Sequence, residues 1–249
     1  MWRKSGHWRD RMYLYLFLNI LIIIFPFLLS FDKKVRFYRK WKYLLGSILI
    51  VGTSFILWDI FATARGHWSF NGRYLVGLEI FGLPIEEMMF FFTVPYACLF
   101  TYEALGEHTR DWKVAVNKWT FMIAGLVMVA AGIIFWRQEY TTIVLLQAGI
   151  LTFSLPIIVP ELVSTRRFWF YILITLGLFV IFNMLLTAIP IVTYGPEHIW
   201  GGDGLWNGRF FTIPLEDFIY NISMLTWYLV AYHLIIKCCV YRRSANKEE

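Results

Sequence analysis

Seven stretches of this chain are apolar enough and long enough to cross a hydrocarbon core: 12–31, 43–63, 77–104, 119–136, 141–160, 167–192 and 211–238. A span takes roughly 20 helical residues. The chain therefore reads as an all-α polytopic membrane protein with seven transmembrane helices. Its composition agrees, with 59% hydrophobic and 16% charged residues where soluble domains carry about 25% charged. The first apolar run is long, aromatic and without an Ala-x-Ala exit, so no cleaved leader is expected. Three cysteines, Cys98, Cys238 and Cys239, are an odd number without metal-like spacing and argue against a disulfide framework. The adjacent Cys238-Cys239 pair reads as packing rather than lipidation.

The net charge of +6 sits mainly in loops and tails, so it reads as topology rather than nucleic-acid binding. Seven crossings put the termini on opposite sides. The side holding the first, third and fifth loops and the C-terminal tail carries more Lys and Arg. The positive-inside rule then places a multi-pass protein in the cell membrane with its C-terminus in the cytoplasm. The basic N-terminal tail (Arg3, Lys4, Arg9, Arg11) pulls the other way.

An internal repeat organises the chain. Pro84-Ile85-Glu86-Glu87 and Pro214-Leu215-Glu216-Asp217 align at an offset of about 130, and Phe81, Leu83 and Thr93 pair with Phe211, Ile213 and Ser223. Upstream, Asp59-x-x-x-Thr63-Ala64 resembles Asn183-x-x-x-Thr187-Ala188, with about six extra residues in the second loop. Each copy reads as helix, polar aromatic loop, then a helix opening on the acids. The copies lie four crossings apart and enter the membrane in the same direction, which gives two parallel three-helix repeats, 1–118 and 141–249. A linking helix at 119–140 restores direction, a 3+1+3 arrangement.

Pro followed two residues later by Glu is also an ordinary helix start. Two matched copies within apolar surroundings favour function, because an ionisable side chain below the membrane surface is costly. Positions i, i+4 and i+7 share a helix face, which aligns Glu86 with Phe90 and Thr93, and Glu216 with Tyr220 and Ser223. Glu86 and Glu216 are therefore the expected acid and base, one neutral while the other ionises, in a proton-in, proton-out reaction. Glu87 and Asp217 are expected to orient or tune them, and Asp59 and Asn183 to hydrogen-bond them. Glu79 and Glu103 flank the third span without counterparts, and Glu161 reads as a helix end. Trp58, Trp68, Trp200 and Trp206 lie near the repeated loops, where aromatic faces stabilise a cation. The histidines (His7, His67, His108, His198, His233) are scattered without ligand spacing, so no metal site is expected. Gly201-Gly202-Asp203-Gly204 is not a dinucleotide fingerprint, and no cofactor is expected.

The segments PIEEMMFFFTVPYACLFTYE and PLEDFIYNISML, with the Asp59 and Asn183 segments upstream, resemble the membrane-integral, non-flavin lycopene cyclases. The likeness spans about 12–105 and 141–238 and fits the fused form of the two-subunit type, without an appended phytoene synthase domain. Asp217 in place of Glu and the longer second loop are the departures. The resemblance implies cyclisation of a ψ end group of lycopene without net redox change. A carboxylic acid protonates the terminal alkene, a neighbouring double bond closes the ring on the cation, and loss of a ring proton leaves the β end group. Lycopene or a related linear carotenoid and membrane lipid are then the partners.

A SWEET-like or proton-coupled transporter is the main alternative, since buried carboxylates also relay protons. The Phe- and Met-rich setting of the acids counts against a sugar path. A retinal photoreceptor lacks its mid-helix lysine in the last span. An aspartate-rich prenyltransferase lacks its Asp-x-x-x-Asp pair.

Overall fold

The computed structural model describes residues 13–202 and 208–245. The basic N-terminal tail, His7, Asp203, Gly204 and Trp206 lie outside the described residues. The chain is mainly helical: α1 Leu14–Leu29, α2 Phe37–Ala64, α3 Ile85–His108, α4 Lys118–Ile134, α5 Glu139–Ile158, α6 Arg166–Ala188 and α7 Leu215–Ala245. Five of these, α2, α3, α5, α6 and α7, are long and apolar enough to cross a membrane; α1 and α4 are shorter, with 16 and 17 residues. Large apolar side chains face outward on every side, among them Phe17, Phe25, Leu126, Ile134, Leu173 and Ile181, as a lipid-facing surface requires.

Two expectations are corrected in the loops. The segments 77–84 and 211–214 are not helical. Each forms a β-hairpin, β2 Glu79–Ile80 with β3 Leu83–Pro84, and β5 Arg209–Phe210 with β6 Ile213–Pro214. Proline, without an N–H to give, closes each hairpin and opens the helix behind it. Phe81 and Phe211, at equivalent turn positions, both take positive φ (53° and 55°). A strictly all-α reading is therefore incomplete. A third ladder joins the copies: β1 Trp68–Phe70 pairs antiparallel with β4 Val192–Tyr194, centred on Ser69 and Thr193, whose hydroxyls are 2.8 Å apart.

The packing follows the same twofold pattern. α1 lies on α3 as α5 lies on α7, and α2 meets α7 as α6 meets α3. α4 packs chiefly on α5, where Gly125 and Gly149 bring the backbones together. A Cβ at Gly149 would stand 2.8 Å from the Gly125 carbonyl oxygen. A π-helical turn at Ile48–Gly52 widens α2 where it meets α7 and α3. Ser47 donates to the Tyr228 carbonyl there, and Tyr228 donates in turn to that of Phe91. At the far end, Glu103 is buried against Lys40, Arg167 and Tyr232. Glu161, in a one-turn helix at Pro160–Val163, bonds His233 and Lys237.

Candidate active site

The starts of α1, α3, α5 and α7 and the ends of α2 and α6 meet at one end of the bundle. They enclose a chamber of about 80 Å³ lined by Asp59, Glu87, Asn183 and Asp217. Trp68, Phe90, Phe91, Tyr140, Tyr194 and Tyr220 supply aromatic walls. Among the described lining residues there are three carboxyl groups and no basic side chain.

Glu86 and Glu216 do not line the chamber. Glu86 accepts from the backbone N–H of Val76, and Glu216 from that of Trp200 at 2.6 Å and from Thr141 Oγ1 at 2.5 Å. Val76 and Trp200 are themselves equivalent, so each first acid clamps the loop of its own copy. In both, the other oxygen, Oε2, is buried without a partner. The face containing Glu86 and Thr93 turns instead toward Asn19, which bonds Thr93 and the Glu86 carbonyl.

The second acids are placed by the next helical face. On α3 the chamber takes Glu87, Phe90 and Phe91; on α7 it takes Asp217, Tyr220, Asn221 and Met224, spacings of three, four and seven that share one side. A tyrosine at the head of each repeat's first helix donates to each: Tyr15 to Glu87, and Tyr140 to Asp217 at 2.7 Å. Beyond that the copies diverge. Asp217 also receives Asn183 Nδ2 at 2.8 Å and Tyr194 Oη at 2.5 Å. Burial, reinforced by the Asp217 charge, holds the Tyr194 phenol well above its ordinary value and keeps it an O–H donor. Asp59 stands where Asn183 stands in the other copy. It makes no hydrogen bond to Glu87, and takes Trp68 Nε1 at 2.6 Å on one oxygen while the other is buried and unpaired.

Two apolar grooves run from the chamber. One, of about 370 Å³, lies among α1, α3, α6 and α7 and shares Phe90, Phe179, Asn183, Leu186 and Asn221 with it. The other, of about 400 Å³, lies among α2, α5 and α7 and meets it at Tyr220. They are repeat equivalents. Trp58 lines the second, and Trp200 contributes its backbone to the Glu216 clamp.

Sequence reasoning missed Tyr15, Tyr140 and Tyr194. The first two sit at an offset of 125, a signal present in the repeat; Tyr194 is the counterpart of Phe70 in the other copy and left none. The histidines are not all scattered: His67 and His198 come together, with ring centroids 4.3 Å apart, and burial holds His67 below its ordinary value.

A family model described as lycopene cyclase matches residues 12–105 and 137–235. No curated protein and no solved structure matches the chain. The match takes in both copies of the repeat and every acid of the chamber, and the chain accordingly belongs to the lycopene cyclase family, enzymes of carotenoid biosynthesis that act on a linear carotenoid.

Proposed function

We propose that the protein is a lycopene β-cyclase that turns ψ end groups into β-ionone rings, yielding γ-carotene, β-carotene or both. The observation that carries this is the unequal surroundings of two equivalent acids in one chamber. Glu87, with the carboxyl of Asp59 beside it and one phenol donor, gives a proton to the terminal alkene. The neighbouring double bond attacks the tertiary cation and closes the six-membered ring. Asp217, with three donors directed at it, receives the ring proton. The reaction is an isomerisation: the proton gained and the proton lost balance, and the proton on Asp217 returns to Glu87 between turnovers. Aromatic faces of Trp68, Phe90 and Tyr220 stabilise the cation. Glu86 and Glu216 hold the loops that roof the chamber, so the roles expected from the sequence are exchanged between first and second acids.

The chamber has room only for the end of a long substrate. The adjoining groove, apolar along nearly all its length, suits a polyene drawn from the bilayer and does not suit a sugar or an ion. The arrangement expected, seven crossings as 3+1+3, is supported by the matched packing of α1 with α3 and α5 with α7. With the C-terminus cytoplasmic, the chamber faces the opposite side.

Expression in a host that accumulates lycopene tests the reading. β- or γ-carotene is expected from the wild-type chain and lycopene alone from Glu87→Gln and Asp217→Asn. Unchanged lycopene from well-inserted wild-type protein would refute it.

A further inference from the structure

The loops above the chamber hold a cluster that the cyclisation does not use. His67 follows α2, Glu139 opens α5 and His198 follows β4, and their ligand-type atoms all lie within 4.8 Å of one another. His67 Nε2 is 3.0 Å from Glu139 Oε2, and His198 Nε2 is 3.3 Å from Glu197 Oε1. His67 is fully buried, and its Nδ1 has no partner.

The repeat supplies an internal control. Offsets of 125 for the first helix and 124 for the loop place Leu14, Tyr74 and Ile191 at the positions equivalent to Glu139, His198 and His67. Those three belong to a single apolar cluster with Tyr15, Leu18 and Leu75. The scaffold is thus satisfied by plain hydrophobic packing at this place in one copy. In the other it gathers two imidazoles and a carboxylate from three separate segments, which folding alone does not require.

We propose that His67, Glu139 and His198, joined by Glu197, bind a divalent transition-metal ion of the zinc class. Two imidazoles with carboxylate oxygens are a donor set that such ions take. Arg65 occupies Glu139 in this structure, through Nε at 2.7 Å and through Nη2. Its side chain is 48% exposed, and an exposed ion pair of this kind contributes little, so an incoming cation displaces it and takes over the neutralising of Glu139. The ion's role is to brace. Gly195 N–H donates to the His67 carbonyl at 2.8 Å, and the next residue, Trp68, holds Asp59, so one ion ties together three segments of the chamber roof.

The test uses tagless full-length protein in lipid nanodiscs, stripped with chelator and titrated with Zn²⁺ by calorimetry and with Co²⁺ by visible spectroscopy. Beside it stands the triple variant His67→Ile, Glu139→Leu, His198→Tyr, which copies the apolar counterpart. One ion per chain, intense d–d bands of four- or five-coordinate Co²⁺ and a Zn²⁺-dependent rise in Tm are expected of the wild type and are lost in the variant. Wild-type binding no tighter than the variant's, or only the spectrum of hydrated Co²⁺, would overturn the proposal. If the triple variant does not fold, His198→Tyr, at a half-buried residue, makes the same comparison.

Discussion

Glutamine at Glu86 and at Glu87 separates clamp from catalyst at two neighbouring positions. Glutamine keeps the shape of the side chain and removes its proton chemistry. At position 86 the amide oxygen still accepts the Val76 N–H, and the amide nitrogen replaces an oxygen that is buried without a partner. Two N–H groups are then left unpaired, at a cost of about 1–3 kcal/mol of stability, with turnover per folded molecule retained. At position 87 the amide cannot deliver a proton to the alkene. General acid catalysis contributes about 10²–10⁴-fold, or about 3–5 kcal/mol of barrier at about 1.4 kcal/mol per tenfold. The two variants are thus expected to differ by at least about 100-fold in turnover. Initial rates of cyclised product in isolated membranes, divided by the amount of inserted protein, measure the difference, and a melting curve in detergent reports the stability loss. A folded, inserted Glu86→Gln enzyme as slow as Glu87→Gln would refute the assignment and return the chemistry to the first acids. Glu216→Gln against Asp217→Asn repeats the comparison in the second copy.

Gly195→Ala sets a Cβ 2.3 Å from the Gly66 carbonyl oxygen, which forces β1 and β4 apart. Stability is expected to fall by about 1–3 kcal/mol, seen as a lower Tm, and activity to fall with it. Ala97→Phe fills the groove among α1, α3, α6 and α7 beside the chamber without touching an acid. Lycopene conversion is expected to drop while the melting temperature holds, and an undiminished rate would show that the polyene lies elsewhere. Glu103→Gln removes the buried carboxylate that pairs with Arg167 and Lys40. Breaking such a pair costs about 3–5 kcal/mol, so this variant is expected to lose thermal stability while its surviving fraction retains the wild-type product ratio.

Much of the architecture is legible in the sequence because two signals are strong. Each of the seven apolar runs contains a helix, since long apolar segments have few alternatives, and the repeated Pro-x-Glu-acid marks equivalent helix starts. The hairpins at 77–84 and 211–214 were not legible: their residues are largely apolar, and hydropathy does not separate a two-residue strand from a first helical turn. Of the six residues singled out in the sequence, Glu87, Asp217, Asp59 and Asn183 line one chamber, while Glu86 and Glu216 lie outside its lining and bond the loops. Which acid of each pair faces the chamber was not legible. Periodicity finds faces but not their direction, and Glu86 and Glu87 differ by only about 100° around the helix. The six extra residues before Arg209 also hid the equivalence of Val76 and Trp200, the residues whose backbone N–H groups the first acids accept.

In the proposed mechanism, duplication explains how one chamber comes to hold an acid and a base made from the same part. A duplicated three-helix unit gives two carboxylates in equivalent surroundings, each with a tyrosine donor from the head of its first helix. Identical surroundings give neither carboxylate a reason to hold the proton. Two substitutions break the tie. Asn183 in place of an acid, and Tyr194 in place of Phe70's equivalent, direct two more donors at Asp217 and suit it to accept. Asp59 in place of an amide sets a second carboxyl in the chamber with Glu87 and takes its own donor from Trp68, so Glu87 receives no amide donor from that position. In the proposed mechanism the direction of proton flow across the chamber is then set by the partners of the two acids as well as by the acids themselves. Exchanging them, Asp59→Asn with Asn183→Asp, is expected to slow cyclisation while each single acid remains in place. A double variant with wild-type turnover would show that the asymmetry of the pair has no part in catalysis.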